Sequence, residues 1–376
     1  MRTLALSVLF FALHLPPQPA RNGMFQRWDK NRDGSLTRDE LPERIRGNFG
    51  RVDANEDGKI TLGEHQAFLR KRAGSRPQQN RMPAQLRGAI QAHLDLPYAN
   101  DDNPRHRLDL YVPKEPKGND PLPVLVYIHG GGWKNGDKNG GGRRVAEFVA
   151  SGKYAGASIG YRLTGEAKWP AQLHDCKAGI RWLKANAGKY NIDPERIAVW
   201  GTSAGGHLVS MLGVTNGRED MEGALGDHLA QNSRVACVLD WFGPSNLFTI
   251  HEQRGRVQKQ SPESLLIGGY AKDVPEMGRS ASPITHVTAR CPPFLIAHGD
   301  RDGTVPFAQS VEFVEAMRKA GVDPAPVLLQ FEGAGHGKGI GGPDLTRIMT
   351  TFLDLHLRGQ EAELKSAKLP SFQPKR

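Results

Sequence analysis

Read for apolar and polar positions, the chain falls into five stretches. It opens on an apolar run, Leu4 to Leu15, broken only by Ser7 and His14. Residues 21–72 are polar, with few and regularly placed apolar positions. Residues 73–90, with Pro77, Gln78, Gln79, Asn80 and Pro83, offer little to a core and read as a linker. From residue 91, apolar runs rich in β-branched residues alternate with helical patterns. The spacing predicts strands over 107–112, 123–129, 155–160, 197–202, 235–241, 293–298 and 326–332. Leu173, Cys176, Ile180, Leu183 and Ala187 recur at helical spacing, while Asp193-Pro194 and Ser261-Pro262-Glu263 are turn or helix-start signals. Alternating strands and helices over 91–359 predict an α/β domain, a mostly parallel sheet covered on both faces. Function in such sheets lies beyond the carboxyl ends of the strands. The polar tail, 360–376, is expected to be loosely ordered.

Charge changes this picture in one place. The 376 residues carry 50 Lys+Arg against 40 Asp+Glu, a net +10. Residues 65–88 hold six of the basic residues (Arg70, Lys71, Arg72, Arg76, Arg81, Arg87) and no acid. The long α/β stretch is nearly neutral, so it carries no nucleic-acid stripe and no nucleic-acid partner is expected. The basic linker is expected to be the part that meets an anionic glycan or cell surface. Three cysteines, Cys176, Cys237 and Cys291, cannot build a disulfide framework.

The amino terminus has the order of a secretory signal over residues 1–20: Arg2, a short apolar core, then Pro16-Pro17-Gln18-Pro19-Ala20. The run is too short to span a bilayer, so a secreted or periplasmic protein without a transmembrane span is expected. Residues 21–72 then contain a repeat. Asp29, Asn31, Asp33, Ser35, Thr37 and Glu40 recur as Asp53, Asn55, Asp57, Lys59, Thr61 and Glu64, with Gly34 and Gly58 at the sixth loop position. These are the oxygen donors and the sharp turn of an EF-hand calcium loop; Ser35 and Lys59 contribute backbone carbonyls. Leu36 and Ile60 fit the apolar slot that pairs two loops through a short strand. Only residues 41–52 separate the loops, enough for one shared helix. Two calcium ions in a structural or docking role are expected here.

Within the α/β stretch, Ile197 to Thr202 runs into Gly201-Thr202-Ser203-Ala204-Gly205. A sharp strand–turn–helix of this kind needs small residues at 201 and 205 and exposes Ser203 as a nucleophile. Val124–Ile128 runs into His129-Gly130-Gly131-Gly132-Trp133. Backbone N–H groups of Gly131, Gly132 and Ala204 would stabilise the oxyanion of an acyl-transfer reaction. The expected chain order is nucleophile, acid, base. Asp302 is the acid, with Asp300 as competitor; His336, in the loop Gly333-Ala334-Gly335-His336-Gly337, is the base. Asp240 and Trp241 are expected to line the substrate pocket, Asp240 being also a weaker candidate for the acid; Trp133 either lines the acyl pocket or simply packs. His129, His207 and His298 read as structural.

Together, HGGGW, the run from Trp169-Pro170 through Asp175-Cys176-Lys177 to Arg181-Trp182-Leu183, Asn191–Ile197, GTSAGGH and DWFGP resemble α/β-hydrolase esterases of the bifunctional feruloyl/acetyl-xylan-esterase-like branch, related to hormone-sensitive-lipase-like esterases. The resemblance covers about residues 95–358. It implies the α/β-hydrolase fold, a Ser203–His336–Asp302 triad, no metal in the chemistry, and hydrolysis of carboxylic esters, often acetyl or feruloyl groups on polysaccharide. A triad does not choose its acyl substrate, so a lipase, a kynurenine-formamidase-like amidase and a peptidase stay open. So does a calcium-dependent binding module with an inactive hydrolase fold.

Overall fold

The computed structural model describes residues 25, 28–65, 67, 68 and 82–373. The expected signal segment lies outside them, as do all the linker's basic residues except Arg87. The chain divides into two compact units, residues 1–75 and 76–376.

In the smaller unit the two repeated loops meet through strands β1 (Ser35–Leu36) and β2 (Ile60–Thr61), antiparallel with Leu36 opposite Ile60. Those two side chains, with Phe25, Leu41 and Val52, form its core. The connection is not one shared helix. It breaks into α1 (Glu43–Arg46) and α2 (Phe49–Val52). Gly47 and Asn48, both weak helix formers, fall between them.

The larger unit is a nine-stranded sheet of β3 (Ile90–Pro97), β4 (Arg107–Pro113), β5 (Leu122–Ile128), β6 (Ala155–Ile159), β7 (Ile192–Thr202), β8 (Cys237–Trp241), β9 (Phe294–Gly299), β10 (Val327–Glu332) and β11 (Ala367–Pro370). Its order is β11-β10-β9-β8-β7-β5-β6-β4-β3. Only the β3–β4 and β4–β6 pairs are antiparallel. The central strands bury both faces, and alternate residues serve different cores. Val124, Val126 and Ile128 of β5 pack with helices α4 (Ala171–Ala185), α5 (Ala204–Val214) and α6 (Ala308–Lys319). Leu125 and Tyr127 pack with α3 (Gly141–Ala150) and α7 (Pro343–Arg358). This period of two, with apolar residues at both phases, is what a doubly covered parallel strand requires. The three cysteines are buried and unpaired. Among the described residues no helix is long and apolar enough to cross a membrane.

Both edges of this unit differ from the pattern-based expectation. The linker is shorter: Ala84–Ala89 form a 3-10 turn, Met82 and Ile90 are buried in the core, and β3 starts at residue 90. The tail is not loose. Residues 367–370 form β11, which pairs parallel with β10 from Leu329↔Ala367 to Glu332↔Pro370. Both strands lie at sheet edges with many half-exposed side chains, so backbone pairing rather than apolar burial defines them.

Candidate active site

Three strand ends bring the site together. β7 ends at Thr202, and Ser203 takes φ 56, ψ −121 before α5 begins. A positive φ on a non-glycine residue is strained, and here the surroundings leave no alternative. The Ser203 N–H donates to the Trp241 carbonyl at 2.9 Å. A Cβ on Gly201 would lie 2.2 Å from the Gly205 carbonyl, and one on Gly205 would lie 2.2 Å from the Ile128 carbonyl. The elbow is therefore packed backbone against backbone.

The base arrives on the loop after β10. His336 Nε2 lies 2.9 Å from Ser203 Oγ, and its Nδ1 lies 2.7 Å from Asp302 Oδ2. The carboxylate can only accept, so Nδ1 carries the hydrogen and Nε2 is free to take the serine proton. Asp302 Oδ1 is occupied by the N–H groups of Thr304 at 2.8 Å and Val305 at 2.9 Å. Burial alone would raise this carboxyl. Hydrogen bonds from His298, His336 and the Val305 N–H outweigh burial and hold it well below the usual carboxylate range.

The oxyanion loop lies beside the elbow. Gly131 and Gly132 have φ 111 and 59, and among the described residues neither N–H is bonded to a backbone or side-chain acceptor. Ala204 is the first residue of α5, so its N–H has no acceptor within the helix. His129 anchors this loop: its ring stacks on Tyr161 at 4.2 Å, and its carbonyl accepts from the Tyr161 hydroxyl at 2.8 Å. Burial pushes the His129 imidazole down to about 4, so it is neutral near pH 7.

The other candidates take different places. Asp300 accepts from the Gly333 N–H at 2.7 Å and from Gln330, and so supports the base loop instead of touching His336. His207 is buried, its imidazole lowered to about 4 by burial, and its Nε2 donates to the Ala281 carbonyl at 2.7 Å. Asp240 and Trp241, expected to line the pocket, are buried instead, and of the two readings of Trp133 the structure shows packing. Trp133 packs edge-on against His207. Trp241 packs against Trp200 in the core on the α3/α7 face. Asp240 accepts from Ser210 and the Gly243 N–H, both at 2.9 Å, beneath the elbow. Burial pushes its carboxyl up to about 6 against those two donors.

Two more residues support the site: His298, read from the sequence as structural, and Phe242, which had no clear sequence signal. His298 Nε2 donates to the Val305 carbonyl at 2.9 Å and lies 3.4 Å from Asp302 Oδ2, holding the acid's loop. Phe242, at φ 46, sets its ring edge-on to His336 at 4.8 Å. Its place directly after a strand and before Gly243-Pro244 was the one available hint.

In the smaller unit all donors of both loops are oxygens, as a hard cation requires. Gly34 and Gly58 adopt φ 82 and 80, the turn the loop needs. Glu40 closes its loop by accepting from the N–H groups of Lys30 at 3.1 Å and Thr37 at 2.9 Å; Glu64 does the same with Ala54 and Thr61 at 2.9 Å. Among the described residues no group of three His, Cys, Asp or Glu side chains forms a metal cage by itself. A calcium site here would also draw on Asn31, Asn55, Thr37, Thr61 and the Ser35 and Lys59 carbonyls.

The fold and this geometry define an α/β-hydrolase with a serine, histidine and aspartate in hydrogen-bond contact. The BD-FAE family model matches residues 108–317, and an EF-hand model matches residues 22–43 and 48–69. The chain belongs to the BD-FAE family and carries an amino-terminal EF-hand pair. It is 32% identical over 240 residues to the esterase LipC of Mycobacterium tuberculosis, covering 63% of this chain and 58% of that one. It spans 58%, 46% and 53% of three Mycobacterium tuberculosis relatives, about half their length. Among solved structures, a truncated carbohydrate esterase from gut microbiota is 33% identical with a TM-score of 0.65, covering 71% of this chain and 96% of that one. A bifunctional GH43-CE protein of Bacteroides eggerthii is also 33% identical, with a TM-score of 0.66 over 71% of this chain and 35% of that one.

Proposed function

We propose that the chain is a secreted serine carboxylic-ester hydrolase that removes acetyl or feruloyl groups from polysaccharide. One observation carries the reading: the continuous contact from Ser203 Oγ to His336 Nε2 at 2.9 Å and from His336 Nδ1 to Asp302 Oδ2 at 2.7 Å. His336 takes the Ser203 proton as Oγ attacks the ester carbonyl. The N–H groups of Gly131, Gly132 and Ala204 stabilise the oxyanion. Asp302 holds the imidazolium, which then protonates the departing alcohol. Water, deprotonated by His336, releases the acid and restores Ser203.

The carbohydrate-esterase description of the gut-microbiota neighbour supports an acylated polysaccharide as the ester. The apolar run Leu4–Leu15 supports export. Calcium in the two EF-hand loops would cross-link their oxygen donors and stiffen the small unit. The basic stretch 65–88 would supply contact with an anionic glycan or cell surface.

Replacing Ser203 by Ala tests the chemistry. Hydrolysis of p-nitrophenyl acetate and labelling by a serine-directed phosphonate should both vanish while the melting temperature holds. Near-normal turnover in that variant would remove the proposal. Acetylated xylan and methyl ferulate then test the substrate, with released acetate or ferulate as the expected product.

A further inference from the structure

We propose that the carboxyl-terminal strand and Phe372 form a strap that positions His336; this rests on the reading of His336 as the base. Residues 333–342 include six glycines, at 333, 335, 337, 339, 341 and 342. Five of them sit at positive φ. Glycine loses more conformational freedom on folding than any other residue, so such a loop holds its shape only if it is tied down. A base must be held within about 0.5 Å of its productive position.

The ties come from two sides. On the near side, Asp300 accepts from the Gly333 N–H at 2.7 Å, and the Arg301 N–H donates to the Ala334 carbonyl at 2.9 Å. On the far side, the Phe372 N–H donates to the Gly339 carbonyl at 2.8 Å. A Cβ on Gly339 would meet Ser371 Oγ at 2.2 Å, and one on Gly342 would meet the Phe372 ring at 2.6 Å. The Gly335 N–H donates to the Lys338 carbonyl at 2.9 Å, joining the two halves across His336. β11 delivers Phe372 to this place through its register with β10, and the Leu328 N–H donates to Ser366 Oγ at 3.0 Å just before it. Phe372 is 38% exposed and belongs to no core cluster. Its ring covers glycine backbone, so its removal should loosen the loop without costing the fold much.

The test uses the full chain with Phe372→Ala, and a second variant ending at Gln360. Four quantities are measured: kcat and KM on p-nitrophenyl acetate, the rate of phosphonate labelling, hydrogen exchange over 333–342, and the melting temperature. We expect kcat to fall about tenfold or more, because small displacements of reacting groups are costly. KM should stay within about twofold, since the loss lies in the transition state. Labelling should slow by the same factor, and exchange should quicken over 333–342 alone. Phe372→Leu should restore all of these. Unchanged kcat and exchange in both variants overturns the strap, and so does a loss of activity that merely follows a lowered melting temperature. If the unaltered chain takes no phosphonate, the serine-hydrolase reading fails instead, and exchange over 333–342 still decides whether the strap holds the loop.

Discussion

The elbow that carries Ser203 and the loop that carries His336 are both rich in glycine, for opposite reasons. At Gly201 and Gly205 an added Cβ would lie 2.2 Å from another backbone atom. At Gly333 an added Cβ would meet nothing within 4 Å, but φ is 73. The elbow uses glycine to bring two backbones together; the base loop uses it to turn. Each region also rests on a buried carboxylate. Asp240, beneath the elbow, has only the neutral donors Ser210 and Gly243 and is pushed up to about 6. Asp302, beneath the base loop, is held well below its ordinary range by His298, His336 and backbone N–H groups. The elbow is thus rigid by contact, and the base loop is rigid by hydrogen bonding to distant segments.

The sharpest way to break this comparison is Asp302→Asn. Thr304 and Val305 already claim one side-chain oxygen. The new amide would point its NH₂ at His336 Nδ1 and leave Nε2 protonated, facing Ser203 with nothing to accept the proton. We expect kcat/KM to fall on the order of 10⁴-fold with the fold intact. A loss under about tenfold in steady-state assays would mean that Asp302 does not orient the base.

The next test concerns the two kinds of glycine. Gly205→Ala should cost about 3 kcal/mol or more, because neither the Ile128 carbonyl nor the helix can move aside. Gly333→Ala, whose Cβ would meet nothing within 4 Å, should cost only the left-handed backbone, about 1–2 kcal/mol. Urea midpoints measure both. Equal losses would mean that the elbow relaxes and the contrast is unfounded.

The legibility of the site in the sequence follows the same division. Ser203, the oxyanion glycines and His336 stand in short motifs directly after strands, where local pattern fixes conformation. Asp302 and Asp300 lie two residues apart, and only the fold separates them: one faces the base, the other the Gly333 N–H. Asp240 and Trp241 stand next to a functional turn, yet Asp240 is buried beneath it, bonded to the Gly243 N–H, and Trp241 packs into the core on the opposite face, because a motif gives position along the chain and not the side a residue faces. Phe242 acquires its role through a strained turn and a partner far along the chain, His336, whereas His298 acts on Asp302 and Val305 only a few residues on, through a loop whose shape the sequence pattern does not give. β3 and β11 are edge strands held by backbone pairing, which leaves little trace in apolar periodicity. The paired EF-hand strands are the converse case: Leu36 and Ile60 occupy the same slot of a repeat and do face each other.

The smallest expected effect separates the two carboxylates by pH. A carboxyl raised from 3.8 to about 6 in the folded protein binds its proton more tightly there than in the unfolded chain. Between about pH 4 and pH 6 the native state therefore holds more protons, and Asp240 makes stability fall as pH rises, by about 3 kcal/mol at most. Asp302 acts in the opposite sense. Its depressed carboxyl contributes stability that is fully present above its unfolded value near 4 and is lost as pH falls through its native value. Asp240→Asn can keep the Gly243 bond through its oxygen and donate its amide to Ser210, whose hydroxyl then accepts. Urea unfolding across pH 4 to 7 should show the variant losing less stability than the unaltered protein as pH rises through this window. Superimposable profiles would mean that the carboxylate under the elbow is as well stabilised in its charged form as the one under the base loop. The two regions would then differ in packing alone.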